Sequence, residues 1–302
     1  MSPEKIFSLY YRCKYLTRVC GVRGPLRLLA GGVASVCGKS LERSLERRRR
    51  SGDYPRALDG KGGFVVSLTS FPPRMDRLWM VVDCLMRGSR RPAEIVLTLF
   101  EGDFPEGSSS LPENLQPYLE RGLRVVFAKE NLRPHLKYYY TFLSELEGGR
   151  RSVVTVDDDV FYSPDTLERL WKMHSKNPRA VCANCARKIG KGPYKSWEHV
   201  NEPAGPSQDL LALGYGGVLY PPAFYSSCPQ LFDIQELLSL APKADDLWLK
   251  YCENLCSSGV CTGEYYALPP DIPSSQKQAL SGENVDNGGN DKVWEALKNH
   301  KK

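Results

Sequence analysis

The chain has 302 residues, 41% of them hydrophobic and 25% charged, with 26 Gly, 22 Pro and 10 Cys. These figures suit a folded chain large enough for a core and a ligand cleft, and they exclude a collagen-like, wholly disordered or small disulfide-stapled protein. The net charge of +6 is uneven: residues 1–60 hold 13 Lys/Arg against 5 Asp/Glu, so the remainder sums to −2. A main domain without basic excess is a poor nucleic-acid binder, and no nucleic-acid partner is expected.

Residues 1–60 read as a basic N-terminal helical extension and 61–302 as the folded domain. The longest uncharged run of the extension, Leu28 to Gly38, is closed by Arg27 and Lys39 and is about half of the roughly 20 apolar residues a spanning helix needs. Arg12, Lys14, Arg18, Arg23 and Arg27 carry charge into the stretch a secretory signal keeps apolar, and Val36 before Cys37 is a poor cleavage residue. Ile6, Leu9, Tyr10, Leu16, Val19 and Leu28 are interleaved with these cations. Two readings stay open: a leader lying in an anionic headgroup layer, or a solvated, partly disordered basic tail. Arg47 to Arg50 is polybasic in either case. Cys182-Ala-Asn-Cys185 has metal-knuckle spacing, but Cys252, Cys256 and Cys261 are irregularly placed partners, and buried free thiols in a reducing compartment are the simpler reading. A cytoplasmic location, with or without peripheral contact at the inner face of a membrane, follows.

Gly60 to Gly63 is the linker. Beyond it, apolar strands alternate with helical stretches, which predicts an α/β domain with a mostly parallel sheet. Strands are expected at 64–68, 95–100, 123–127, 152–156 and near 180–184. Met75, Leu78, Trp79, Val82, Leu85 and Met86 form a helical stripe after the first strand. Further helices are expected at 138–146, about 165–175, 233–240, 244–256 and 291–299, with a Pro/Gly/Ser loop at 102–112, a turn-rich stretch at 190–208 and an apolar segment at 213–220. His174 is placed on an exposed helix face.

In Val153-Val-Thr-Val-Asp157-Asp158-Asp159, strand formers run into three carboxylates. Ligands of open α/β sheets bind at the carboxyl ends of strands, and three adjacent acids demand a compensating cation. Hard oxygen donors suit magnesium or manganese carrying a phosphate. Alternation along an extended segment would put Asp157 and Asp159 on one side and Asp158 on the other. The competing account is a polar loop in which Ser163-Pro164-Asp165 starts a helix.

Around this motif stand Val66-Ser-Leu-Thr-Ser-Phe-Pro-Pro-Arg74, Arg91-Pro-Ala-Glu-Ile-Val-Leu97, His135-Leu-Lys137-Tyr, Gly214-Tyr-Gly-Gly-Val-Leu-Tyr220, Lys243-Ala-Asp-Asp-Leu-Trp-Leu249 and Asn290-Asp291. In this order they resemble the nucleotide-sugar glycosyltransferases of the GT-A fold, in particular bacterial capsule and lipopolysaccharide glycan-assembly enzymes with an Asp-x-Asp motif. The resemblance covers about residues 63–300. It implies a single GT-A (Rossmann-like) domain and metal-dependent, inverting transfer of a hexosyl group. The sugar would pass from a nucleotide-sugar donor, most commonly a UDP-sugar, to a glycan or lipid-linked glycan acceptor, with Mn2+ or Mg2+ as cofactor. By the same resemblance Thr69, Ser70 and Arg74 cradle the donor and Lys137 faces its diphosphate. Asp157 contacts ribose or sugar and shares the metal with Asp159, while Asp158 completes the donor side. Arg74 and Lys137 also have surface explanations, as a loop-capping cation and a solvent-facing lysine.

Asp245 and Asp246 fall in the first turn of a predicted helix, where the dipole favours carboxylates. One acid suffices there; the second is surplus, and the resemblance implies a base at this point of the chain, for which Asp246 is chosen with Asp245 as its neighbour or an acceptor contact, the two being nearly interchangeable in sequence. Tyr215, Gly216, Gly217 and Trp197, with Tyr194, are candidates for the acceptor wall, although glycines also simply turn. Asn290 and Asp291 either close over the diphosphate or cap the last helix. Two rival functions are a nucleotidyltransferase on a similar sheet, which would need a Gly-rich loop where Thr69-Ser-Phe-Pro-Pro73 stands, and a non-catalytic carbohydrate- or membrane-surface-binding protein.

Overall fold

The structure is a computed structural model describing residues 1–18, 20, 25–200, 202–278 and 288–300. Val19 and Arg23 of the leader lie outside the described residues, as do the side chains of Arg18 and Arg27.

Apolar residues at helical spacing fold the leader into two helices, α1 (Pro3–Arg18) and α2 (Pro25–Arg50). Ile6, Phe7, Tyr10 and Cys13 line one face of α1, and Ala34, Cys37, Leu41 and Leu45 one face of α2. Both faces join a core that continues into Phe64, Val66, Leu78 and Trp79. Burying a residue such as Ile6, Phe7 or Leu41 stabilises by about 1.5–3 kcal/mol. Polar contacts fix the docking: Tyr10 Oη donates to Leu268 O at 2.8 Å, and Arg77 pairs with Glu42 and Glu46. The reading of a solvated, unstructured tail is therefore corrected for the described residues. The cause is an apolar stripe that a composition count overlooks.

The first half of the sheet holds β1 (Phe64–Thr69), β2 (Glu94–Phe100), β3 (Leu123–Ala128) and β4 (Ser152–Thr155), parallel and in the order β3-β2-β1-β4. Val65, Val66, Leu97, Val153 and Val154 are fully buried, the near-continuous apolar pattern that parallel strands covered on both faces require. Helix α3 (Met75–Met86) links β1 to β2. It was expected to bury one stripe, yet ten of its twelve residues are buried, because α2 flanks its outer side, with Arg49 lying over the Trp79 ring.

The chain then adds β5 (Val181–Ala183), β6 (Ala186–Lys188), β7 (Glu198–Val200), β8 (Ala204–Ser207), β9 (Leu210–Ala212), β10 (Val218–Tyr220) and β11 (Val260–Thr262). β10 runs antiparallel between β4 and β5, β11 is parallel to β5, and β8 closes the edge; β7-β6-β9 form a second, small sheet. The remaining helices are α4 (Gln116–Leu119), α5 (Tyr139–Ser144), α6 (Thr166–Lys176), α7 (Pro222–Tyr225), α8 (Ile234–Leu240), α9 (Asp245–Leu255) and α10 (Gly289–Asn299). The molecule is thus of the expected α/β class, with a large, mostly parallel sheet flanked by helices. His174 departs from expectation: it is half-buried, 3.2 Å from Ser152 Oγ and against Trp171. Cys182 and Cys185 do not face a common partner, since Cys182 Sγ lies 3.5 Å from Cys261 Sγ and Cys185 packs under Gly216.

Candidate active site

From β1 the sheet grows to β2 and β3 on one side and to β4 on the other, so the carboxyl ends of β1 and β4 flank the switch point where open sheets form ligand crevices. The loop after β1 brings Ser70 and Arg74 there, and the segment after β4 brings the three acids. β4 ends at Thr155 and the acids lie on a bend, so strict alternation does not govern them. Asp157 turns to Lys137, whose Nζ donates to its Oδ1 at 2.8 Å. Asp158 accepts from Ser70 Oγ at 2.6 Å and Arg74 Nη1 at 2.5 Å, and Asp159 lies 3.2 Å from Arg74 Nη2. Thr69, by contrast, donates to Thr98 O within the sheet.

The second acidic pair arrives on α9. Lys137 Nζ is 2.6 Å from Asp245 Oδ2, and both Asp246 oxygens accept from the Gly214 N–H at 3.1 Å. Gly214 has no room for a side chain: a Cβ there would sit 2.7 Å from Lys137 Nζ and 2.9 Å from Asp246 Oδ1. Its hydrogen atom is what allows lysine, base candidate and backbone to converge. Gly216 and Gly217 have packing reasons as well, the first pressed on Cys185 and the second at φ +83°, a conformation that favours glycine.

The electrostatics follow from burial. Burial pushes Asp159 up to about 7, helped by the neighbouring Asp157 and opposed by Arg74. Burial likewise raises Asp246, with Asp245 next in effect and Lys137 opposing. Burial works against the charge on Lys137, but Asp157, Asp245 and Asp246 outweigh it and hold the ammonium well above its ordinary range. Among the described residues five carboxylates thus gather about Lys137 and Arg74.

Sequence reasoning passed over several supports. His135 is fully buried, its Nε2 2.7 Å from Ala241 O and its Nδ1 3.0 Å from Tyr138 Oη. Burial lowers it to about 4, so it stays neutral while anchoring the turn that carries Lys137. The Asp157 N–H donates to Tyr162 Oη at 2.8 Å, and Ile272 N–H donates to Asp159 O at 2.8 Å. The second contact brings Asp271 beside the acids, where its charge helps raise Asp159. The signal for this strap was the stiff run Pro269-Pro270-Asp271-Ile272-Pro273.

On the rim, Asp291 at the start of α10 accepts from the Tyr194 N–H at 2.6 Å, joining the last helix to the loop that holds Tyr194 and Trp197. Tyr215 is half-buried beside it, whereas Trp197 is buried between Tyr194 and Trp294 and donates to Gly192 O.

The sequence matches no protein-family model and no curated protein. Among solved structures, residues 1–349 of TarS from S. aureus share 13% identity and a TM-score of 0.48 over 78% of this chain and 70% of that one. The same protein in complex with UDP gives 13% and 0.45 over 68% and 60%. The mannosyltransferase PcManGT from Pyrobaculum calidifontis, in complex with GDP-Man and Mn2+, gives 14% and 0.41 over 86% and 66%. At these values the chemistry has to be argued from the residues of this chain.

Among the described residues no three His, Cys, Asp or Glu side chains are gathered for a metal ion. The charge deficit and the hard oxygen donors nevertheless fit a divalent cation, which commonly needs only one or two carboxylates when substrate phosphates complete its shell.

Proposed function

We propose that the protein is a glycosyltransferase that moves a sugar from a nucleotide-sugar donor to a hydroxyl of a glycan or lipid-linked glycan, with inversion. The observation that carries this reading is the convergence of Lys137, Asp157, Asp245 and Asp246 around Gly214, beside an acidic bend at the switch point. A nucleoside diphosphate needs cations and a dry floor; an acceptor hydroxyl needs a base. This site gathers both kinds of group in one cluster.

Asp246 takes the acceptor proton as the acceptor oxygen bonds to the anomeric carbon and the bond to the diphosphate oxygen breaks, its electron pair leaving with the nucleotide. A carboxylate raised by burial and by Asp245 is a better proton acceptor near neutral pH than an ordinary one. The Gly214 N–H fixes its orientation. Lys137, released from Asp157 and Asp245, meets the departing diphosphate as a compact cation. Asp157 and Asp159 would hold Mn2+ or Mg2+, which when bound supplies Lewis-acid stabilisation of the leaving group. Arg74 and Ser70 brace Asp158 and thereby the shape of the bend.

UDP-sugars are the leading donors by the resemblance of the motifs. A thermal-shift panel of UDP-, GDP-, CMP- and dTDP-sugars with and without manganese is expected to reveal one stabilising nucleotide. Asp159→Ala is expected to remove the manganese-dependent part of that shift. A flat panel in the wild type would sink the reading and favour the non-catalytic one.

A further inference from the structure

Of the eight large apolar side chains that stay exposed among the described residues, seven belong to the α1–α2 hairpin: Met1, Leu9, Tyr15, Leu16, Leu28, Leu29 and Val36. Leu28 is 78% and Leu29 65% exposed, while the opposite faces of both helices are in the core. Scattered apolar side chains on a surface need no explanation, but a concentration of them marks an interaction site.

The charge pattern decides what covers it. Residues 5–41 contain seven Lys/Arg and no Asp or Glu. The acids of the leader lie outside that stretch, and Glu4, Glu42, Glu46 and Asp53 are each paired with an arginine. Tyr15 and Leu16, with the exposed Arg12, also wall a cavity of about 540 Å³ whose far side is Tyr265, Tyr266 and the paired Asp165 and Arg169. Tyrosines with an apolar body and a polar tip suit the headgroup level of a bilayer. No helix among the described residues is long and apolar enough to cross a membrane.

We propose that the outward face of the hairpin docks on an anionic lipid bilayer. Leu28, Leu29 and Val36 enter the boundary between headgroups and acyl chains, and the exposed Arg12 and Lys39 meet lipid phosphates. The inference is independent of glycosyl transfer, because none of these residues touches the crevice at β1 and β4.

The test is sedimentation of the full chain with phosphatidylcholine vesicles, with and without phosphatidylglycerol. The wild type is expected to sediment with the anionic vesicles only, and less at high salt. Leu28→Glu with Leu29→Glu, and separately Arg12→Glu with Lys39→Glu, are expected to weaken binding by about tenfold or more. Both pairs are solvent-facing, so unchanged melting temperatures should accompany the loss. No sedimentation of the wild type, equal binding to neutral vesicles, or unaltered binding by both variants would overturn the proposal. So would a concentration-dependent dimer that the Leu28/Leu29 variant abolishes, which would make a second copy of the chain the occupant.

Discussion

Helix α9 carries two buried assemblies of charge that differ in kind. In its second half, Lys250 and Glu253 are 0% and 1% exposed and face each other at 3.2 Å, one cation for one anion. At its first turn, Asp245 and Asp246 join Asp157 around Lys137, and Arg74 reaches both Asp158 and Asp159. The first assembly is closed and has no ligand to wait for. The second holds more acids than cations among the described residues, an imbalance of the kind found where a bound species takes part.

Mutations of the two assemblies should therefore fail differently. The largest effect expected is on turnover: Asp246→Asn should lower transfer by about 10²- to 10⁴-fold while leaving the nucleotide-dependent thermal shift in place. Full activity in that variant would move the base elsewhere. In the closed assembly the loss is of stability. Burial pushes Glu253 up to about 7, with Lys250 opposing. An acid raised in the folded state contributes stability that is complete below its ordinary pKa and is lost as pH rises through about 7. Lys250→Met strands a carboxylate, so it should cost about 3–5 kcal/mol near pH 8 and much less near pH 5, where Glu253 is protonated. Lys250→Met with Glu253→Leu should recover most of the loss and flatten the pH dependence of Tm. A pH-independent cost would show that packing, not charge, is what Lys250 supplies.

Completing the open assembly should be visible without turnover. Manganese together with the preferred nucleotide is expected to raise Tm by about 2–4 °C per kcal/mol of binding free energy. Asp159→Asn should cancel the manganese-dependent part, and the Lys250/Glu253 double variant should retain it. Equal loss in both would mean that the shift reports general fragility and not the site.

Much of this contrast was present in the sequence, and the missing part has a physical reason. Three acids at the end of an apolar strand are legible because they break the pattern of a buried element, and α3, α8, α9 and α10 are legible because their periodicity is local. The pairing of cations with acids is not, since Arg74 and Asp158 are 84 residues apart and their meeting depends on a bend that ends alternation after Thr155. The three-residue strands β6, β7, β9 and β11 are too short to show a period of their own, and β11 pairs with strands more than about 50 residues away in the chain. The leader shows the same limit. Its apolar residues were noted only as interleaved with cations, and the contact that docks it, Tyr10 to Leu268, spans 258 residues.

The finest division between stability and function lies within three residues. Gly216→Ala would drive a Cβ to 2.7 Å from Cys185 Sγ and 3.1 Å from its backbone N, atoms of the buried bend between β5 and β6. Relief requires a backbone shift, and overpacking of this kind costs about 1–3 kcal/mol. Gly214→Ala meets instead the ends of two side chains, Lys137 Nζ and Asp246 Oδ1, which can swing aside. Its cost in stability should stay below about 1 kcal/mol, yet the swing separates the lysine from the base and removes the alignment that the Gly214 N–H imposes on Asp246. Transfer should fall by about tenfold or more, since displacement of reacting groups by an ångström is enough for that. If Gly214→Ala melts early and keeps its turnover per folded molecule, the convergence at Gly214 is a packing feature and the open charge cluster has another purpose.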